Sequence, residues 1–145
     1  MKVMRFNDSS NAPALIAGTA PVPQPGHGEI LIRVHAAGVT PMELQWYPTT
    51  HTSVGGRRSS AIPGHEFSGV VEAVAADVDP NQIGSEVFGM NDWFADGATA
   101  DYCTSASTPV AAKPSRLSHL EAASVPIGAL TARWRPADWL PRRLW

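Results

Sequence analysis

The residues best equipped for chemistry sit in one short run, Pro63-Gly64-His65-Glu66-Phe67-Ser68-Gly69, which leads into Val70-Val71-Glu72-Ala73-Val74. An imidazole beside a carboxylate at the start of a strand offers a metal ligand or a proton-transfer group. The same pair also serves as a hydrogen-bonded structural element, and taken alone the run leaves all three readings open. Upstream, Thr40 and Glu43 flank a short turn, and the aromatic pair Trp46-Tyr47 follows it. Those two rings either line a substrate pocket or cover the open end of a barrel. His27 and His119 lie beside turn and cap residues and are expected to be solvated. His35 falls on the polar face of a strand and reads as structural. Arg57-Arg58 reads as a solvated loop pair, with a cofactor phosphate as the rival use. Cys103 has no base near it in sequence and reads as a small, half-buried side chain.

Composition limits what these residues can belong to. A chain of 145 residues and 15.4 kDa can bury one real core but not two full-sized ones. A net charge of -2 gives no electrostatic footprint for nucleic acid. No apolar run reaches the roughly 18 residues of a membrane span, and the first six residues are too short and mixed for a signal peptide. One cysteine excludes a disulfide framework and any multi-cysteine zinc lobe. The expectation is a cytoplasmic chain with neither nucleic-acid nor membrane partners.

Period-two alternation predicts strands at 1–6, 29–37, 67–75, 86–90, 98–104 and 110–113. The clearest is 29–37, with Ile30, Ile32, Val34 and Ala36 on one face and Glu29, Arg33 and His35 on the other. Thr40-Pro41 can cap and start a helical turn through Gln45, and 51–60 reads as a mobile polar loop. Ser118-His-Leu-Glu121 has capping-box spacing, so a late helix should begin there and break or restart at Pro126. Short strands joined by turns, with few helices, predict a mainly β, partly open barrel.

Several segments, taken in order, resemble the medium-chain dehydrogenase/reductase superfamily. They are Ala37-Gly38-Val39-Thr40-Pro41-Met42-Glu43, Gly64-His65-Glu66-x-x-Gly69 and Gly84-Ser85-Glu86-Val87-Phe88-Gly89. Ala98-Thr99-Ala100-Asp101-Tyr102-Cys103, Ala112-Lys113-Pro114, Glu121-Ala122-Ala123-Ser124-Val125-Pro126 and Ala129-Leu130-Thr131-Ala132 continue the likeness. The resemblance implies a GroES-like barrel over residues 1–132, the substrate-binding half of an NAD(P)-dependent oxidoreductase. It places Thr40 where zinc-dependent members carry a cysteine ligand, and His65 and Glu66 at the second ligand and its neighbouring carboxylate. A hydroxyl is a poor zinc ligand beside thiolate or imidazole, so zinc is not expected here. Thr40-Pro41 instead looks like the Asn-Pro of the zinc-independent quinone oxidoreductase branch. That implies Thr40 touching nicotinamide and substrate, with Glu43 shaping the pocket through a hydrogen bond to His65. The implied reaction passes a hydride from NADPH to a carbonyl or enone.

The glycine fingerprint of a nicotinamide-binding βαβ unit is not found, and at Arg133 the similarity stops. Residues 133–145 hold four arginines, three tryptophans and two prolines. This composition leads to the expectation of an out-of-frame tail on a truncated oxidoreductase, inactive alone, with self-association through exposed surface. The alternatives are a fragment of a zinc-dependent alcohol dehydrogenase, or a stand-alone GroES-like module whose tail docks a partner.

Overall fold

The computed structural model describes residues 1–7, 14–38, 40 and 42–134, so Val39, Pro41 and the 135–145 part of the arginine–tryptophan tail lie outside it. Among the described residues, seven strands form two sheets. β1 (Lys2–Asn7) pairs antiparallel with β2 (Ala14–Thr19). The second sheet has the order β6-β3-β4-β5-β7, from β3 (Glu29–Ala37), β4 (Glu66–Val74), β5 (Glu86–Met90), β6 (Tyr102–Ala106) and β7 (Val110–Ala112). Every pairing is antiparallel, and a Val3–Ala100 bridge joins the two sheets. The barrel is open rather than closed, in keeping with the mainly β, GroES-like expectation. Among the described residues, no helix is long and apolar enough to cross a membrane.

The core lies where β3 and β4 cross, around Ile30, Ile32, Phe67 and Val71. Burying such side chains contributes roughly 1.5–3 kcal/mol each, which is why the apolar alternation of 29–37 located β3 so well. Leu31, on the supposedly polar face, is buried too, and bulges shift the register on either side of Ile32-Val34. The strand read at 98–104 occurs instead as β6, with Ala98 to Asp101 forming bends and the bridge to β1. β2 was not anticipated. All six of its residues are exposed, including Leu15 and Ile16, so no buried face marks it in the sequence.

Helix α1 (Tyr47–Thr50) lies between β3 and β4, and two late helices follow β7, α2 (His119–Ala123) and α3 (Pro126–Trp134), with Pro126 restarting the chain as its sequence implies. The capping box forms as read: Ser118 Oγ accepts from the Glu121 amide, and Glu121 Oε2 accepts from the Ser118 amide at 2.8 Å. His119 is not solvated. Its Nδ1 lies 2.7 Å from Ser68 Oγ and its Nε2 3.3 Å from Glu86 Oε1, while its ring meets His35 at 4.4 Å. The Ser-His-Glu order resembles a nucleophile triad, but Ser68 is fully buried and donates to the Val87 carbonyl. The group fastens α2 to β4 and β5.

Candidate functional site

His65 closes the loop that enters β4, and two glycines explain how it gets there. Gly64 has φ +96°, a left-handed conformation that side chains resist, and a Cβ on it would lie 2.9 Å from the Thr99 amide nitrogen. Gly69 sits where β4 passes β3 so closely that a Cβ would run into the Arg33 carbonyl. Around them, the Pro63 carbonyl accepts from the Thr99 amide and the His65 carbonyl from the Asn91 amide. His65 therefore hangs from a loop fixed by backbone bonds on both sides.

The turn before it is not capped as expected. Glu43–Gln45 form one 3-10 turn with no side-chain cap, and Thr40 contributes its carbonyl to the Glu43 amide rather than its hydroxyl. This turn delivers Glu43 into the interior. Its Oε1 accepts from the Gly64 amide at 2.6 Å and lies 3.8 Å from His65 Nε2. The Glu43–His65 contact is thus an electrostatic neighbour within reach of a bridging water rather than a direct hydrogen bond. Burial raises the Glu43 carboxyl above its usual range, opposed by the amides of Gly64, Thr40 and His65.

His65 is 1% exposed, and neither ring nitrogen has a hydrogen-bond partner. Burial holds the imidazole below its ordinary range. Asn91 and Asp92 oppose that shift, while the positive charge of Arg58 adds to it. Asn91 is close enough to influence the ring, yet its own Oδ1 is also unpartnered, its amide nitrogen being given to the Asp96 carbonyl. Two indoles pack against the ring: Trp46 stacks at 6.0 Å, nearly parallel, and Trp93 tilts against it at 4.8 Å. Trp46 and Trp93 also touch each other at 5.6 Å.

Beside this stack opens an apolar cleft of about 540 Å³, walled by Asn91, Trp93, Pro109, Ile127, Leu130 and Thr131 among others. Trp93 and Asn91 form its wall, and His65 stands behind them. Thr40 and Trp46 are half-buried but do not line it, and Tyr47 is exposed, stacked on His51 with Phe94 at its edge. Of the residues singled out in the sequence, the fold brings Glu43, His65 and Trp46 together. Asn91 and Trp93 were missed. They follow a strand end in a turn-rich segment, and only their return to His65 distinguishes them.

Glu66 faces another task. Its Oε2 accepts from the Ile127 amide in the first turn of α3, and its side chain crosses Gly38 so tightly that no Cβ would fit there. A carboxylate at a helix N-terminus complements the helix dipole. Burial raises its carboxyl, which the Ile127 amide counteracts. Cys103, read as half-buried, is sealed in the core, where burial pushes its thiol up to about 12. The donor set therefore does not fit zinc: one imidazole, two carboxylates already bonded to amides, and a thiol that resists ionisation. Among the described residues, no three potential ligands cluster. A nicotinamide fits better, since the cleft joins an apolar lining and a flat indole to the hydroxyls of Thr108 and Thr131.

Comparison with known proteins gives the family. The model of the alcohol dehydrogenase GroES-like domain matches residues 26–131. A probable zinc-binding mitochondrial oxidoreductase of Arthroderma benhamiae is 34% identical over 128 residues, covering 87% of this chain and 37% of that protein. The Dictyostelium discoideum mitochondrial NAD(P)H oxidoreductase RTN4IP1 is 28% identical, with 77% and 32% covered. A mycobacterial protein solved in complex with NADPH superposes with TM-score 0.78 at 28% identity, covering 97% of this chain and 42% of the other. A Coxiella burnetii quinone oxidoreductase gives 0.76 at 26%, covering 92% and 43%. The chain thus spans about a third of the length of these curated relatives.

Proposed function

This chain belongs to the alcohol dehydrogenase GroES-like domain family of medium-chain oxidoreductases, and from that premise we propose that its cleft is the substrate half of an NADPH-dependent quinone or enone reductase. One observation carries the reading: a fully buried imidazole with both nitrogens unpartnered stands behind the wall of an apolar cleft. Buried polar groups are nearly always bonded, so an orphaned one is a reserve for something that binds. NADPH, when bound, supplies the hydride. Reduction of a quinone or enone then leaves a substrate oxyanion, which needs a hydrogen-bond donor until it takes its proton from water.

The chain's own residues meet that need. Burial keeps His65 neutral at pH 7, so one ring nitrogen holds a proton and the other a lone pair. Trp46 and Trp93 exclude water from the ring, which strengthens any hydrogen bond it makes. Glu43 holds the Gly64 amide and so fixes the loop from which His65 hangs. Thr131 and Thr108 offer hydroxyls to a carboxamide, and Ile127 and Leu130 give the apolar wall. Thr40 lies outside the cleft of these residues, so its part in cofactor contact requires surface contributed from elsewhere.

Nucleotide binding needs such a contribution as well, and the 145-residue chain by itself is expected to be inactive and to show no micromolar NADPH affinity in titration. The activity is tested by joining residues 1–132 to the nucleotide-binding portion of the mycobacterial relative. The chimera is expected to oxidise NADPH with 1,4-benzoquinone or 2-cyclohexenone, and to lose most of that rate in His65→Phe. Zinc-dependent alcohol oxidation in its place would overturn the reading. Self-association through the exposed β2 strand belongs to the same proposal, and is checked by sedimentation.

A further inference from the structure

We propose that Arg58 is a positioning residue that holds Trp46 and Trp93 together against His65. The guanidinium spans the two segments that carry the indoles. Its Nη1 donates to the Pro48 carbonyl at 2.9 Å, two residues after Trp46. Its Nη2 donates to the Ala95 carbonyl at 3.2 Å and to Asp96 Oδ1 at 2.7 Å, just after Trp93. The Arg58 amide donates to the Thr50 carbonyl at the end of α1 (Tyr47–Thr50), which fixes the base of the side chain. A residue expected to be solvated is therefore mostly buried, its side chain 12% exposed.

Asp96 extends the link to the imidazole itself. The carboxylate oxygen that takes Arg58 also accepts from the Ile62 amide at 3.1 Å, three residues before His65. The Asp96 carbonyl accepts from the Asn91 side chain, and the Gly97 amide donates to the Ile62 carbonyl. The Trp46, Trp93 and His65 segments thus converge on one guanidinium–carboxylate pair. A planar fork can meet several fixed acceptors at once, whereas an ammonium is a compact point charge on a flexible stem. Arg58 touches neither the ring nor the cleft, so its effect on the site passes through the loops it ties.

The inference rests on the proposed function only in taking the stack to serve the cleft, and its test reads the stack directly. Two indoles 5.6 Å apart and inclined at 59° should give an exciton couplet in circular dichroism near 230 nm. In the 145-residue chain the couplet is expected to be present and to vanish in Trp93→Phe. Arg58→Gln is expected to lose more than half of it while keeping the strand signal and cooperative unfolding. Arg58→Lys should fall between. Protonated imidazole quenches indole fluorescence, so the pH midpoint of quenching should also rise in Arg58→Gln, because a positive charge near His65 has gone. A full couplet in Arg58→Gln overturns the proposal, as does a native chain with no couplet sensitive to Trp93→Phe. If Arg58→Gln does not fold, Arg58→Lys decides: an undiminished couplet rejects the assignment, and a reduced one with the fold intact upholds it. A chimera without quinone reductase activity but with the Arg58-dependent couplet would sink the proposed function alone.

Discussion

His65 and His119 are both drawn out of solvent, and their nitrogens are treated in opposite ways. His119 spends both: Nδ1 on Ser68 and Nε2 on Glu86. His65 is the more deeply buried and spends neither. Instead two indoles pack against its ring, and its loop is fixed through Gly64, Asn91 and Glu43. The first arrangement is fastening, in which polar capacity is used up within the fold. The second holds polar capacity in reserve beside a cleft. The contrast teaches that depth of burial alone does not show how a histidine's polar capacity is used; on the proposed function, the unbonded ring is the one kept for a ligand.

The largest effect expected on that contrast comes from the backbone beneath His65. Gly64→Ala forces a side chain into a positive-φ position against Thr99 and should cost roughly 2–3 kcal/mol, measured by urea unfolding. A loss below about 0.5 kcal/mol would mean that the loop yields freely. The histidines themselves come next. His119→Phe removes one partner from Ser68, which keeps the Val87 carbonyl, and one from Glu86, which keeps Lys113, and should cost about 1 kcal/mol. His65→Phe removes a buried ring whose nitrogens bond to nothing, so stability should hold or rise even as chimera activity falls. Equal losses at both positions would erase the distinction.

A smaller loss, about 0.5–1 kcal/mol, is expected for Glu66→Gln, which keeps an acceptor for Ile127 but removes the charge at the start of α3. The smallest effect is one of pH. His65 titrates below its ordinary range when folded, so between the folded and unfolded values the unfolded chain binds more protons. Its contribution is therefore intact above the unfolded value of 6.5 and lost as pH falls toward the folded one. Glu43 and Glu66, raised by burial, act in the opposite sense, their contribution present at low pH and lost as pH rises through their folded values. Unfolding at pH 7.5 and 5.5 should show a larger acid loss in the native chain than in His65→Phe. Equal losses would show that the imidazole is not perturbed.

Much of the scaffold could be read from local rules. β3 was expected at 29–37 and β5 at 86–90, and both occur there, because apolar alternation records which face is buried. The capping box likewise lies within four residues, so its chemistry is visible in order along the chain. β2 escaped because a strand with no buried face leaves no alternation to read. The site was legible only in part. Glu43 and His65 could be found through their motifs and Trp46 by its neighbourhood, whereas Asn91, Trp93 and Arg58 carry no local mark of their role.

By itself, then, the sequence determined most of the strand pattern and the family. The tertiary structure alone decided which polar groups were used and which were left over. Glu66 became a helix cap, His119 a fastener and Arg58 a tie, each through a hydrogen-bond partner 38 to 61 residues away. The reason is physical: propensity and periodicity act over a few residues, whereas hydrogen-bond satisfaction and burial are settled only when distant segments pack.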